Sequence, residues 1–213
     1  IEIPAYIAEI VEQLAFQARD DKRVDKRSGV SQRLPISTLE NVASNAERRA
    51  LHNGEDMAVP RVLDIYAALP SVTGKLELEY EGEIKGGDAI ARELVRLSTG
   101  RVFSRRVDGV DLSSVVHWFE AGGSLKLDEL ADSPGLVRCM KQVPGLLGHA
   151  RALGAGEHAS PAILASAAEF ILEGLYAQKR ISRSEDAGFF AEAKPKPVSP
   201  EHKLPPDYRR RYN

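Results

Sequence analysis

The stretch that most constrains the fold is "SPAILASAAEFILEGLYAQKRI", residues 160–181. Ser160 stands at a cap position and Pro161 at the first helical position, where a missing N–H costs nothing. The body that follows is rich in alanine and leucine, the residues with the strongest helix preference, so this run predicts a helix. Much of the remaining chain reads the same way. "PAYIAEIVEQLAFQARDD" (4–21) sets Ile7, Ile10, Val11, Leu14 and Ala15 on one helical face. "STLENVASNAERRALHNG" (37–54) has Ser37 and Glu40 at capping-box spacing and stops at Asn53-Gly54. Its expected buried stripe is Leu39, Val42, Ala43, Ala46 and Ala50, with Glu47, Arg48 and Arg49 facing outward. "MAVPRVLDIYAALPSV" (57–72) predicts a short helix entered through Pro60. Short loops join these three segments, so they predict an antiparallel bundle.

Strict alternation in "GKLELEYEGE" (74–83) predicts an extended segment without an obvious partner strand. Residues 86–106 return to helix, with Ile90, Leu94, Leu97 and Val102 on the apolar side. In a second helical region, 111–123 is expected to start at an Asp111 cap and bury Val115, Val116, Trp118 and Phe119. Residues 127–154 read as two helices, broken at Ser133-Pro134 and disturbed at Pro144. From Glu185 the chain turns proline-rich and basic, which predicts an extended tail. The expected class is therefore mainly α, with a helical domain at 1–106, a helical extension at 107–184 and a tail at 185–213.

Charge and cysteine content narrow the function. The net charge of −2 gives no global field toward nucleic acid or a membrane, so any anion site must be local. A single cysteine, Cys139, leaves no internal disulfide and fits a reducing, cytoplasmic setting. No apolar run approaches the roughly 20 residues of a membrane span. The opening "IEIPAYIAEIV" reads as the interior of a longer protein.

The chain carries no complete catalytic apparatus that its sequence reveals. Gly74-Lys75 invites a phosphate-loop reading, but Leu69 and Leu76 stand where a glycine and a hydroxyl residue are required. Asp128-Glu129 follows Gly-Gly-Ser rather than an aliphatic strand and reads as a solvated helix start. His52, His117, His149, His158 and His202 lack metal-ligand spacing, and no metal site is expected. Ser31, Ser37 and Ser104 lie in no nucleophile-elbow pattern, and Cys139 reads as a buried, inert thiol. A helix-turn-helix built from 37–54 and 57–72 has too long a connection and an acidic second helix, which disfavours nucleic acid.

None of these patterns accounts for the basic turn "VDKRSGVSQRLPIS" (24–37). The run "RSGVSQRLPISTLENVASNAERRAL", with "RVLDIYAALPSVTGKLELEYEG" after it, resembles the C-terminal part of AAA+ ATPases of the MoxR and magnesium chelatase subunit I type. "FEAGGSLKLDE" and "AAEFILEGLYAQKRISR" resemble the helical extension of the magnesium chelatase-like branch, so the likeness runs from about Ile3 to Arg183. In that family a helical lid follows an α/β ATPase core, and a Gly-small-Ser-x-Arg turn supplies the sensor-2 arginine. Gly29-Val30-Ser31-Gln32-Arg33 matches this turn. The resemblance implies that Arg33 senses nucleotide, with Gly29 and Ser31 shaping the turn and Arg27 as a secondary candidate. Arg27 has the alternative of pairing with Asp20, Asp21 or Asp25.

The same resemblance implies ATP and magnesium in the full-length protein. It also implies an oligomer (a hexamer) formed with neighbouring subunits, the protein's own ATPase core as partner, and a partner with a von Willebrand factor A domain. Both Walker motifs are missing from this chain, so alone it is expected to be inactive. The alternative is a freestanding helical adaptor. Its basic tail, with Lys194, Lys196, Lys203 and Arg209–Arg211, would then meet an acidic partner surface.

Overall fold

The computed structural model describes residues 1–27, 30–156, 158–184 and 186–192. It is mainly helical. In chain order the helices are α1 (Ala5–Asp20), α2 (Arg33–Asn53), α3 (Val62–Ala67), α4 (Leu69–Thr73) and α5 (Tyr80–Lys85). They continue with α6 (Gly87–Arg106), α7 (Ser113–Glu120), α8 (Ser133–Met140), α9 (Leu146–Ala150) and α10 (Pro161–Ala177). A two-stranded antiparallel hairpin, β1 (Ile181–Ser184) and β2 (Gly188–Ala191), follows α10. No helix among the described residues is long and apolar enough to cross a membrane.

The anticipated anchor is the centre of the molecule. Ser160 caps α10 by accepting the Ile163 N–H at 3.3 Å, and nearly every side chain from Ala162 to Leu175 is buried. A helix apolar all round must be covered on every side. Here α6, α8, α9 and α3 cover it, and α6 packs in turn against α1. Phe103 of α6, Phe170 of α10 and Tyr6 of α1 form the aromatic heart, with ring centroids 5.8 and 4.5 Å apart. The Tyr6 hydroxyl donates to Ser166 Oγ at 2.8 Å, and Ser166 Oγ donates to the Pro60 carbonyl at 2.6 Å. The two helical regions expected from sequence thus share one core.

Gly174 makes that contact: a methyl group there would overlap the Phe103 ring. Overpacking of this kind typically costs about 1–3 kcal/mol. Gly174→Ala is expected to lower the thermal midpoint by roughly 4–10 °C, read by circular dichroism.

Several local expectations are corrected. Helix α2 begins at Arg33, so Ser37 lies inside the helix and donates to the Arg33 carbonyl at 2.8 Å instead of capping. Pro35 permits the earlier start, because the first-turn N–H groups have no intrahelical acceptor. Its buried stripe is Leu34, Thr38, Val42, Ala46 and Ala50, and Gly54 ends it in the left-handed conformation. Leu39 and Ala43 are only half-buried. Leu97 of α6 is 40% exposed, outside the buried face.

The alternating segment is extended only to Glu79. It finds a partner in Val24, which bridges Leu78, with Asp25 N–H donating to Glu77 and Glu79 N–H to Arg23. Helix α5 then turns Tyr80 and Ile84 outward. Ser133-Pro134 starts a helix rather than breaking one, because Asp132 accepts the Gly135 N–H and Pro134 suits the first turn. Residues 126–132 consequently form a non-helical strap. Phe119 is fully buried, whereas Trp118 is half-buried, with its ring edge-on to Phe119. Cys139 is also half-buried. The hairpin was not anticipated: β2 occupies residues assigned to the tail, and Phe189 bridges to Leu125. Residues 193–213, the remainder of the tail, lie outside the described residues.

Candidate functional site

Two places concentrate charge. The first is the turn singled out in the sequence. Val30 and Leu34 are buried and pin its exit, and Arg19 of α1 donates to the Val30 carbonyl at 3.4 Å. Ser31 Oγ accepts the Arg33 N–H at 3.1 Å. Arg33 is the first residue of α2; its guanidinium is exposed and has no ion pair or hydrogen bond among the described residues. Arg27 differs. Its guanidinium lies 3.5 Å from Asp25, its N–H donates to the same carboxylate at 2.7 Å, and its side chain is 88% exposed. A pair this exposed contributes about 0–1 kcal/mol. Gly29 lies outside the described residues.

The second place is a broad cleft of about 1700 Å³ between α2, α3, α6, α10, the 126–132 strap and the hairpin. Its floor is ionic. Arg61, 2% exposed, precedes α3, and its N–H donates to Asp64 Oδ2 at 2.7 Å. Asp64 pairs with Arg49, which also donates to the Val59 carbonyl at 2.9 Å. Arg49 is therefore turned into the molecule, not outward. Arg61 Nη2 donates to the Glu129 carbonyl at 2.8 Å and holds the strap, while Nη1 lies 3.5 Å from Glu169. Glu169 accepts the Leu63 N–H at the start of α3 at 2.8 Å. One turn along α10, Glu173 pairs with Arg183 of β1. The Arg183 guanidinium sits 5.5 Å from both the Tyr66 and Phe189 ring centres, a cation held between two aromatic faces.

Burial sets the protonation of this floor. Burial pushes Asp64 up despite Arg49. Burial also pushes Glu173 up to about 7, against the pull of Arg183 and with help from Glu169. The folded protein therefore holds a proton on Glu173 between its ordinary value of 4.5 and about 7, and stability is lost as pH rises through that window. Glu173→Gln removes this loss. The variant's stability relative to the parent should rise by on the order of 3 kcal/mol from pH 4.5 to above 7, measured by denaturant titration at each pH.

Three buried polar atoms of the floor lack a hydrogen-bond partner among the described residues: Arg61 Nε, Arg61 Nη1 and Glu173 Oε2. On the rim, Arg48, Arg92, Arg96 and Lys126 have no carboxylate within ion-pair distance among the described residues. Lys85, by contrast, pairs with Glu93 at 2.6 Å. Neither Arg27 nor Arg33 lines the cleft. Among the described residues no three His, Cys, Asp or Glu side chains gather as metal ligands.

The floor was missed in the sequence because its residues look ordinary there. One signal was available: Glu169 and Glu173, four residues apart, interrupt an otherwise apolar helix, and buried carboxylates need partners. Comparison with known proteins finds no matching family model, no matching curated protein and no matching solved structure.

Proposed function

We propose that this chain is the nucleotide-sensing lid and helical extension of a ring-forming AAA+ ATPase of the magnesium chelatase-like or MoxR-like type. In this reading it couples ATP hydrolysis to remodelling of, or metal insertion into, a partner. One observation carries it: the arginine at the sensor-2 position of the resemblance, Arg33, is exposed and unpaired at the first residue of a well-anchored helix. A guanidinium stays charged at all relevant pH and presents a planar fork of donors to phosphate oxygens. Arg33 fits one phosphate contact and nothing more; the phosphate loop and the magnesium-binding carboxylates belong to an ATPase core that this chain does not carry.

Helix α2 gives the contact a mechanical consequence. It packs on α1, α3 and α4 and delivers Arg49 to the cleft floor 16 residues beyond Arg33. At 1.5 Å per residue that is roughly 24 Å, so a small tilt at the phosphate end reaches the cleft. Loss of the γ-phosphate would release Arg33 and let the lid rotate against the core. The core, neighbouring subunits of a hexamer and a von Willebrand factor A domain protein are the proposed partners, in a cytoplasmic setting, with ATP and magnesium as the cofactors.

The test is the gene product as a whole. The reading expects a phosphate loop and an aliphatic strand ending in Asp-Glu ahead of Ile1, with magnesium-dependent ATPase activity that is lost when residues 1–192 are deleted. A reading frame without those motifs would remove the proposal. It would leave the second reading, a helical interaction module without catalysis, which the charged cleft favours.

A further inference from the structure

We infer that the cleft between α2, α6, α10 and the 126–132 strap binds an extended acidic segment of a partner protein. The inference is independent of the ATPase reading, because no described residue of the Arg33 turn lines the cleft. Three observations converge on it. The rim presents Arg48, Arg92, Arg96 and Lys126 without carboxylate partners; Arg92 and Arg96 lie one turn apart on α6. The rim carboxylates that remain, Asp128 and Glu129, number only two, and Asp128 is engaged by the Leu130 N–H at 3.0 Å. The rim therefore carries net positive charge. The floor below it is closed into three ion pairs: Arg49 with Asp64, Arg61 with Glu169, and Arg183 with Glu173.

The rim sets the ligand class: its cations call for carboxylates, while the chain's net charge of −2 supplies no long-range field for a polyanion such as nucleic acid. Arg61 and Glu173, each 2% exposed, keep their unpartnered atoms sealed, so the floor supports the rim and does not touch the ligand. Size agrees, since about 1700 Å³ exceeds the roughly 300–1,000 Å³ of most small-molecule pockets and suits a length of chain. The chain's own tail is excluded by sign, because Lys194, Lys196, Lys203 and Arg209–Arg211 outnumber Glu201 and Asp207 there.

The bound segment would lay its side-chain carboxylates on the rim arginines. Recognition of this kind is salt-sensitive at the rim and sequence-tolerant apart from charge.

The experiment uses the full 213-residue chain and a fluorescein-labelled peptide of alternating Glu and Ser, read by anisotropy. Binding is expected at low salt and should weaken as salt is raised. The pair Arg92→Ala and Arg96→Ala should weaken it roughly tenfold. Removing the same charge elsewhere, with Lys22→Ala and Lys141→Ala, should leave it unchanged; both lysines are exposed and off the cleft. Thermal melts of both double variants check that each is folded. No peptide binding by the folded parent, equal loss in both double variants, or oligo-dT binding as tight as the peptide would each overturn the assignment.

Discussion

Arg61→Met is expected to lower the unfolding free energy by about 3–5 kcal/mol, the largest single loss anticipated for a side chain of the cleft. Arg61 is 2% exposed and organises three elements at once. Its backbone N–H caps to Asp64, its Nη2 holds the Glu129 carbonyl of the strap, and its Nη1 faces Glu169. Methionine fills similar volume but leaves Glu169, 4% exposed, without a cation. An uncompensated buried charge accounts for most of the cost, because a buried pair considered whole adds little net stability over an apolar replacement. Arg61→Met with Glu169→Gln should therefore recover more than half of the loss, since glutamine keeps an oxygen for the Leu63 N–H while removing the charge. Urea titration at constant m-value distinguishes the two outcomes. A double variant no better than the single one would mean that Arg61 acts through the strap contact rather than through charge.

Arg33→Ala is expected to have the opposite profile: little effect on stability and a large effect on turnover. The side chain is exposed, makes no hydrogen bond among the described residues and contributes nothing to the core. Surface substitutions of that kind fall within about 0.5 kcal/mol. In the protein that carries the ATPase core, loss of a cation that meets the γ-phosphate should reduce ATP turnover by on the order of a hundred- to a thousandfold, the scale of one charge-stabilising donor. ATP affinity should change far less, because the phosphate loop and magnesium hold the ground state. Arg33→Lys should recover only part of the rate, since an ammonium lacks the planar fork. Unchanged turnover in the alanine variant would withdraw the sensing role from Arg33.

The helical class was legible because helix signals are local. Ser160-Pro161 at the start of α10 and Gly54 after α2 act within a few residues of their own helix. Signals that competed locally were read wrongly. Ser37 and Glu40 imitate a capping box, but buried Leu34 and a tolerated Pro35 pull the start back to Arg33. Asp132 turns Ser133-Pro134 into a beginning instead of an end. The hairpin depends on Phe189 meeting Leu125, a contact across more than sixty residues that no window reveals. The turn at Arg33 could be singled out because its residues are adjacent in sequence. The cleft floor could not, since Arg49, Arg61, Glu169, Glu173 and Arg183 come from four separate stretches joined only by the packing of α2 on α3 and of α3 and β1 on α10.

Hydrogen exchange over residues 30–38 of the core-bearing protein, with a non-hydrolysable ATP analogue and then with ADP, tests the sensing claim most directly. The account predicts stronger protection at the start of α2 with the analogue than with ADP, and no difference between the two states in Arg33→Ala. Equal protection in both nucleotide states of the parent protein would contradict it.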